Sequence, residues 1–184
     1  DVKDRWKSQR TSKRRRRPAP AMQIETPEDL HESLRLRAMR MLGRRAYSSA
    51  KLQQKLREDA AAKEFPAEVV EDIVDAIIAR LVELRLIDDR RYAESFVRDR
   101  FERAGYGSHR IRRDLEAAGI TPAEAAAAIA AHIDEAAERR CAAAVLERFR
   151  RRGGEERRTD REFRHLIGRG FPASIVRDLI RVSL

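Results

Sequence analysis

The chain has 184 residues, of which 39% are charged and only 5% aromatic, and it carries a formal net charge of +10. It has no apolar run of about eighteen residues, so a membrane-spanning helix is excluded. The single cysteine, Cys141, excludes an internal disulfide and suits a reducing compartment. Strand signals are missing: there is no sustained period-two alternation and no Asn-Gly or Asp-Gly hairpin turn. The reading is an all-α protein with a mostly aliphatic core.

The excess charge is unevenly spread. Residues 1–20 hold nine Lys or Arg against two Asp, a net of +7, which leaves +3 for everything else. Residues 1–25 show no periodic apolar face and carry the run Lys13, Arg14, Arg15, Arg16 and Arg17. Like charges repel, so this segment reads as a disordered basic arm. Such an arm either binds nucleic-acid phosphate in a salt-dependent way or is a solvated tail without a specific partner. The N-terminus lacks the apolar stretch of a signal peptide, and a cytoplasmic protein is expected.

Thr26, Pro27, Glu28 and Asp29 open a first helix, with Leu34, Ala38, Met41 and Leu42 on one face. Ser48 or Ser49 caps the next, which places Leu52 and Leu56 one turn apart. The stretch from Glu58 to Glu64 either extends that helix or forms a loop. A third helix starts near Phe65-Pro66-Ala67-Glu68 and carries Val70, Ile73, Val74, Ile77 and Leu81.

Asp88 and Asp89 are adjacent carboxylates. They read either as a catalytic or metal pair or as an N-cap with an acid in the first turn, and the cap is favoured because no His or second acid pair follows at ligand spacing. Tyr92, Ala93, Phe96, Val97 and Phe101 then share one helix face. A glycine-containing turn, Gly105-Tyr106-Gly107, leads to Ser108 as N-cap of a helix that buries Ile111 and Leu115 and turns Arg110, Arg112 and Arg113 to solvent. Gly119 stops it, and Thr121, Pro122 and Glu124 form a capping box for an alanine-rich helix running toward Glu138.

Cys141 falls beside Ala142, Val145 and Leu146 and reads as a small packing residue rather than a reactive thiol. Arg150, Arg151, Arg152, Gly153 and Gly154 break the next helix, and 153–160 reads as a polar loop. Residues 139–169 hold eleven Arg against five acids, a basic patch of +6. The final helix follows Pro172, with Ile175, Val176, Leu179 and Ile180 on one face.

These segments repeat. Leu52 and Leu56 match Ile111 and Leu115, and Gly119-Ile120 matches Gly170-Phe171. Each unit is too small to bury its own apolar face well, so the expected architecture is three tandem three-helix units in an elongated, curved stack. The expected boundaries are 26–86, 87–136 and 137–184, after the arm at 1–25. The four histidines are scattered, and no Gly-rich phosphate loop or nucleophile elbow is present. No catalytic residue, metal or cofactor is called for, and the chain is not expected to be an enzyme.

The stretch Leu86-Ile87-Asp88-Asp89-Arg90-Arg91-Tyr92-Ala93, followed by Arg100, Gly105-Tyr106-Gly107, Arg110-Ile111-Arg112-Arg113-Asp114-Leu115 and Gly119-Ile120, resembles the RecX family of recombinase regulators. The resemblance spans about residues 34–181. It implies a monomeric, mainly inhibitory regulator lying in the groove of the RecA–single-strand DNA filament. Such a regulator blocks filament extension or promotes its loss, lowers ATP hydrolysis and strand exchange, and meets single-stranded DNA directly or through RecA. Arg110, Arg112, Arg113, Arg150, Arg151 and Arg152 are the candidate contacts to RecA acids or DNA phosphate. The second reading is a free-standing nucleic-acid-binding protein acting through the Lys13–Arg17 arm and the 139–169 patch. The sequence departs from the family pattern in three places: Leu56 to Phe65 is nine residues with Glu64 in a usual glycine position, Arg85 takes another such position, and Glu162 replaces an apolar residue, with Phe163 expected to take over its packing.

Overall fold

The computed structural model describes residues 24–151 and 158–181. Lys13 to Arg17, Arg152 and most of the expected 153–160 loop lie outside them. The described chain is helical throughout, with turns between: α1 (Pro27–Leu42), α2 (Ser49–Ala60), α3 (Ala67–Glu83), α4 (Asp89–Arg98), α5 (Ser108–Glu116), α6 (Pro122–His132), α7 (Glu135–Arg150), α8 (Arg158–Gly168) and α9 (Ala173–Arg181). A π-helical turn, Asp99–Arg103, follows α4 directly.

Local chemistry sets most of the helix starts. The Thr26 hydroxyl accepts from the Asp29 N–H at 3.2 Å while the Asp29 carboxylate accepts from the Thr26 N–H at 3.1 Å, a reciprocal cap with Pro27 beside it. Thr121 and Glu124 repeat the device at α6. Asp88 accepts from the Arg91 N–H at 2.9 Å, Ser48 from Lys51 at 3.2 Å, and Asp134 from Ala137 at 2.6 Å. Each such cap contributes about 1 kcal/mol.

The apolar faces gather into three separate cores. Leu30, Leu34, Leu52, Leu56, Val74 and Ile77 anchor the first, which also takes Ile87. Ala93, Val97, Ile111, Leu115, Ile120 and Ile129 form the second. The third surrounds Phe171, 1% exposed, with Val145, Leu166, Ile175 and Val176. The closely packed helix pairs all lie within a unit.

Four local expectations are corrected. The helix begun at Thr121 does not continue to Glu138. It ends at His132, because Ile133 turns extended (φ −128°) and buries its side chain in the second core, and Asp134 caps a new helix. The helix of Tyr92 and Phe101 is not uniform, since the π-helical turn intervenes before Phe101. Ser108 is not the N-cap of α5; Gly107 holds that place without a side-chain hydrogen bond. Glu162 is itself 2% exposed rather than displaced by Phe163, which packs at the edge of the same core.

Arg85, in the turn after α3, has φ +54°. That backbone region costs a residue with a Cβ about 1–2 kcal/mol. Glycine removes the strain but gains freedom in the unfolded chain. Arg85→Gly is therefore expected to stabilise the first unit by about 0.5–1 kcal/mol, read as a raised urea midpoint. A lowered midpoint would show that the Arg85 side chain makes a contact worth more than the strain.

The units are joined by two joints built the same way. At the first, the Ser49 N–H donates to Asp89 Oδ1 at 2.7 Å, and its hydroxyl donates to the other carboxylate oxygen. The buried Ser48 hydroxyl donates to the Ala118 carbonyl. At the second, the Ser108 N–H donates to Glu138 Oε1 at 2.7 Å, Gly107 N–H to the Arg169 carbonyl at 2.9 Å, and His109 N–H to the Gly170 carbonyl at 3.0 Å. In both, a carboxylate early in the next unit's first helix caps the N-terminus of the preceding unit's second helix, where unpaired N–H groups and the helix dipole favour an anion. Gly119 (φ +81°) and Gly170 (φ +87°) end the opposing turns and let backbones meet. A Cβ at Gly119 would overlap Ala50, and one at Gly170 would overlap Arg110. Among the described residues, the turn after α2 in the first unit has no positive-φ glycine to match Gly119 and Gly170.

Candidate interaction surface

The six predicted body arginines fall into different environments. Arg112 and Arg113 are exposed on α5, opposite the buried Ile111 and Leu115, and neither has an ion-pair partner among the described residues. Arg110 is different and corrects the expectation that it faces solvent. Its guanidinium lies 3.9 Å from the Tyr106 ring centroid, 3.8 Å from the Asp114 carboxylate and 3.5 Å from the Gly168 carbonyl. Arg169 and Arg100 approach the same ring at 5.4 and 5.9 Å. Arg169 also donates to the Ala104 carbonyl at 2.6 Å. Tyr106, Arg100 and Arg110 belong to the second unit, so it is Arg169, against the ring and the Ala104 carbonyl, and Arg110, against the Gly168 carbonyl, that tie the second unit to the third.

Arg150 is engaged inside the third unit. It grips Glu162 with two hydrogen bonds, of 2.8 and 2.9 Å, and its side chain is 16% exposed. That bond, chiefly, raises the guanidinium above its usual range. Arg151 is exposed and Arg152 lies outside the described residues. Arg139, also in the basic stretch, pairs with Asp178 at 3.0 Å. The +6 patch is therefore partly consumed by internal pairing.

Asp88 and Asp89 both cap helices, Asp88 its own and Asp89 that of the preceding unit. Sequence reasoning found the first role and missed the second. No group of three His, Cys, Asp or Glu among the described residues is arranged to hold a metal. Cys141 is half-buried with its thiol 3.9 Å from the Phe101 carbonyl, and burial raises its pKa, which disfavours the thiolate. No helix among the described residues is long and apolar enough to cross a membrane.

Against known proteins, residues 88–129 match the family model described as RecX, second three-helix domain. A Thermus thermophilus protein named Regulatory protein RecX is 35% identical over 148 residues, covering 79% of this chain and 89% of the relative. The chain belongs to the RecX family. A Mycolicibacterium smegmatis relative of the same name is 30% identical over 169 residues, 88% of this chain and 85% of its own. The crystal structure of RecX from Lactobacillus salivarius superposes with a TM-score of 0.67 at 23% identity, covering 84% of this chain and 97% of that one, and so shares the fold. The match reaches across all three units, and the chain is a RecX-type regulatory protein built from tandem three-helix modules.

Proposed function

We propose that this protein regulates the RecA recombinase, mainly as an inhibitor, by lying along the groove of the RecA–single-strand DNA filament. From there it blocks extension and lowers ATP hydrolysis and strand exchange in recombination and repair. It acts in the cytoplasm as a monomer, without a catalytic step or cofactor of its own. The observation that carries the reading is the free state of Arg112 and Arg113: they project from the middle unit, unpaired among the described residues, in a chain of the RecX family. Charges that are not satisfied internally are available to a partner's carboxylates or phosphates. The serial joints support it as well, since modules docked end to end can follow an extended partner. The turn after α2 supports the monomer, because head-to-tail addition of a second copy would lack the glycine that lets the backbones meet.

The test is Arg112→Ala with Arg113→Ala, leaving Arg110 in place because it holds a joint. The double variant is expected to keep its helical content and to need roughly tenfold more protein for the same inhibition of RecA ATP hydrolysis, the loss of about 1.4 kcal/mol. Inhibition equal to the unsubstituted chain would remove these two residues from the contact. The second reading, binding of nucleic acid by the arm and the 139–169 patch alone, is weakened by the internal pairing of Arg139 and Arg150.

A further inference from the structure

Where the first unit meets the second, two adjoining cavities of about 550 and 300 Å³ form one open groove. They share Arg45, Tyr92, Phe96 and Arg100, and Tyr47 and Lys51 extend the wall on one side. The wall alternates cations with aromatic rings. The Arg45 guanidinium lies 4.5 Å from the Tyr47 centroid, and that of Arg100 lies 4.9 Å from Phe96. Tyr92 and Phe96 pack at 5.9 Å with a tilt of 32°. The groove's two carboxylates are near arginines of their own: Asp99 is 3.5 Å from Arg103, and Asp114 is 3.8 Å from Arg110. Arg45 and Arg100 have no carboxylate partner among the described residues. Arg100 sits in the π-helical turn, a type of element found frequently at functional sites.

We propose that this groove binds single-stranded nucleic acid directly. Phosphates sit on Arg45, Lys51 and Arg100, and an unpaired base stacks against the ring-and-guanidinium wall of Tyr92 and Phe96. A single strand presents a charge and a flat face in every nucleotide, which is the combination the wall offers. A duplex keeps its bases stacked inward and reaches only the cations. An acidic peptide would also meet the cations but leave the aromatic half of the wall unused. The inference rests on the reading that the chain acts on a recombinase–single-strand complex, and adds the place where the strand itself is touched.

The test uses the full chain without recombinase. Fluorescence anisotropy would compare a labelled oligothymidylate with an abasic oligonucleotide of equal length. The unsubstituted chain is expected to prefer the base-bearing strand about tenfold. Arg45→Ala with Arg100→Ala is expected to lower affinity for oligothymidylate at least tenfold and to flatten the salt dependence by about two charges. A control losing the same charge on the third unit outside the basic patch, Arg177→Ala with Arg181→Ala, is expected to stay within about twofold. Unchanged affinity in the groove variant, an equal loss in the control, or equal binding of the abasic strand would each overturn the proposal. RecA ATP hydrolysis, measured separately, keeps the two readings apart. Inhibition that persists while the groove makes no difference to DNA affinity removes only the groove. A chain that never inhibits RecA removes the regulatory reading, whatever the DNA result.

Discussion

Gly170→Ala is expected to destabilise the third unit by about 2–6 kcal/mol and to loosen it from the second. Two costs add. The residue sits at φ +87°, where a Cβ brings strain of about 1–3 kcal/mol. The new methyl would also overlap the Cβ and backbone nitrogen of Arg110, and forcing atoms into a packed contact costs about 1–3 kcal/mol. The Gly170 carbonyl accepts from His109 and the neighbouring Arg169 carbonyl from Gly107, so displacement there strips hydrogen bonds from the N-terminus of α5. Gly168, two residues away, has open space around its would-be Cβ, and Gly168→Ala is the control expected to be neutral or slightly stabilising. Urea unfolding followed with amide exchange over α8 and α9 would read both. Equal midpoints for the two variants would contradict a joint made by backbone approach.

Glu162 carries the second large effect. Its carboxylate is buried and gripped by Arg150 through two hydrogen bonds. Removing Glu162 leaves the Arg150 guanidinium, 16% exposed, with only the Glu147 carboxylate at 3.4 Å, so Glu162→Ala is expected to cost about 3 kcal/mol, the lower end for a broken buried pair. Replacing both partners by apolar residues of similar size avoids that penalty. The sister units place Leu52 and Ile111 at the corresponding position, fully buried. Glu162→Leu with Arg150→Met is therefore expected to be near neutral or to stabilise by about 1–4 kcal/mol. Thermal unfolding of the single and double variants would show it. Matching losses in both would mean that Glu162 acts through something other than its pairing with Arg150.

What was legible in the sequence was mostly what is local. The caps at Thr26, Asp88 and Thr121 depend on residues three positions apart, and the buried Ile111 and Leu115 on a single turn. The exposure of Arg112 and Arg113 followed from that same turn. The joints were not legible, because Ser49 and Asp89 are 40 residues apart and Ser108 and Glu138 are 30 apart. Neither acid carries a spacing signal toward its serine. Arg110 was misplaced for the same reason: helical spacing puts it on the outer face of α5, while Tyr106 and Gly168 come to it from outside that helix. Glu162 stands out as a polar residue in an apolar position, yet no helical spacing points to its partner Arg150, 12 residues earlier. The π-helical turn left no mark either, since Phe101 keeps an apolar spacing compatible with a continuous helix.

The most direct test of the regulatory reading is the rate of RecA ATP hydrolysis on single-stranded DNA as this protein is added well below the RecA concentration, with its binding to the same DNA measured alone. Inhibition at substoichiometric amounts, before the DNA is occupied by the protein itself, is the expected result. Full ATP hydrolysis until the DNA is saturated would contradict filament regulation and leave direct nucleic-acid binding as the protein's activity.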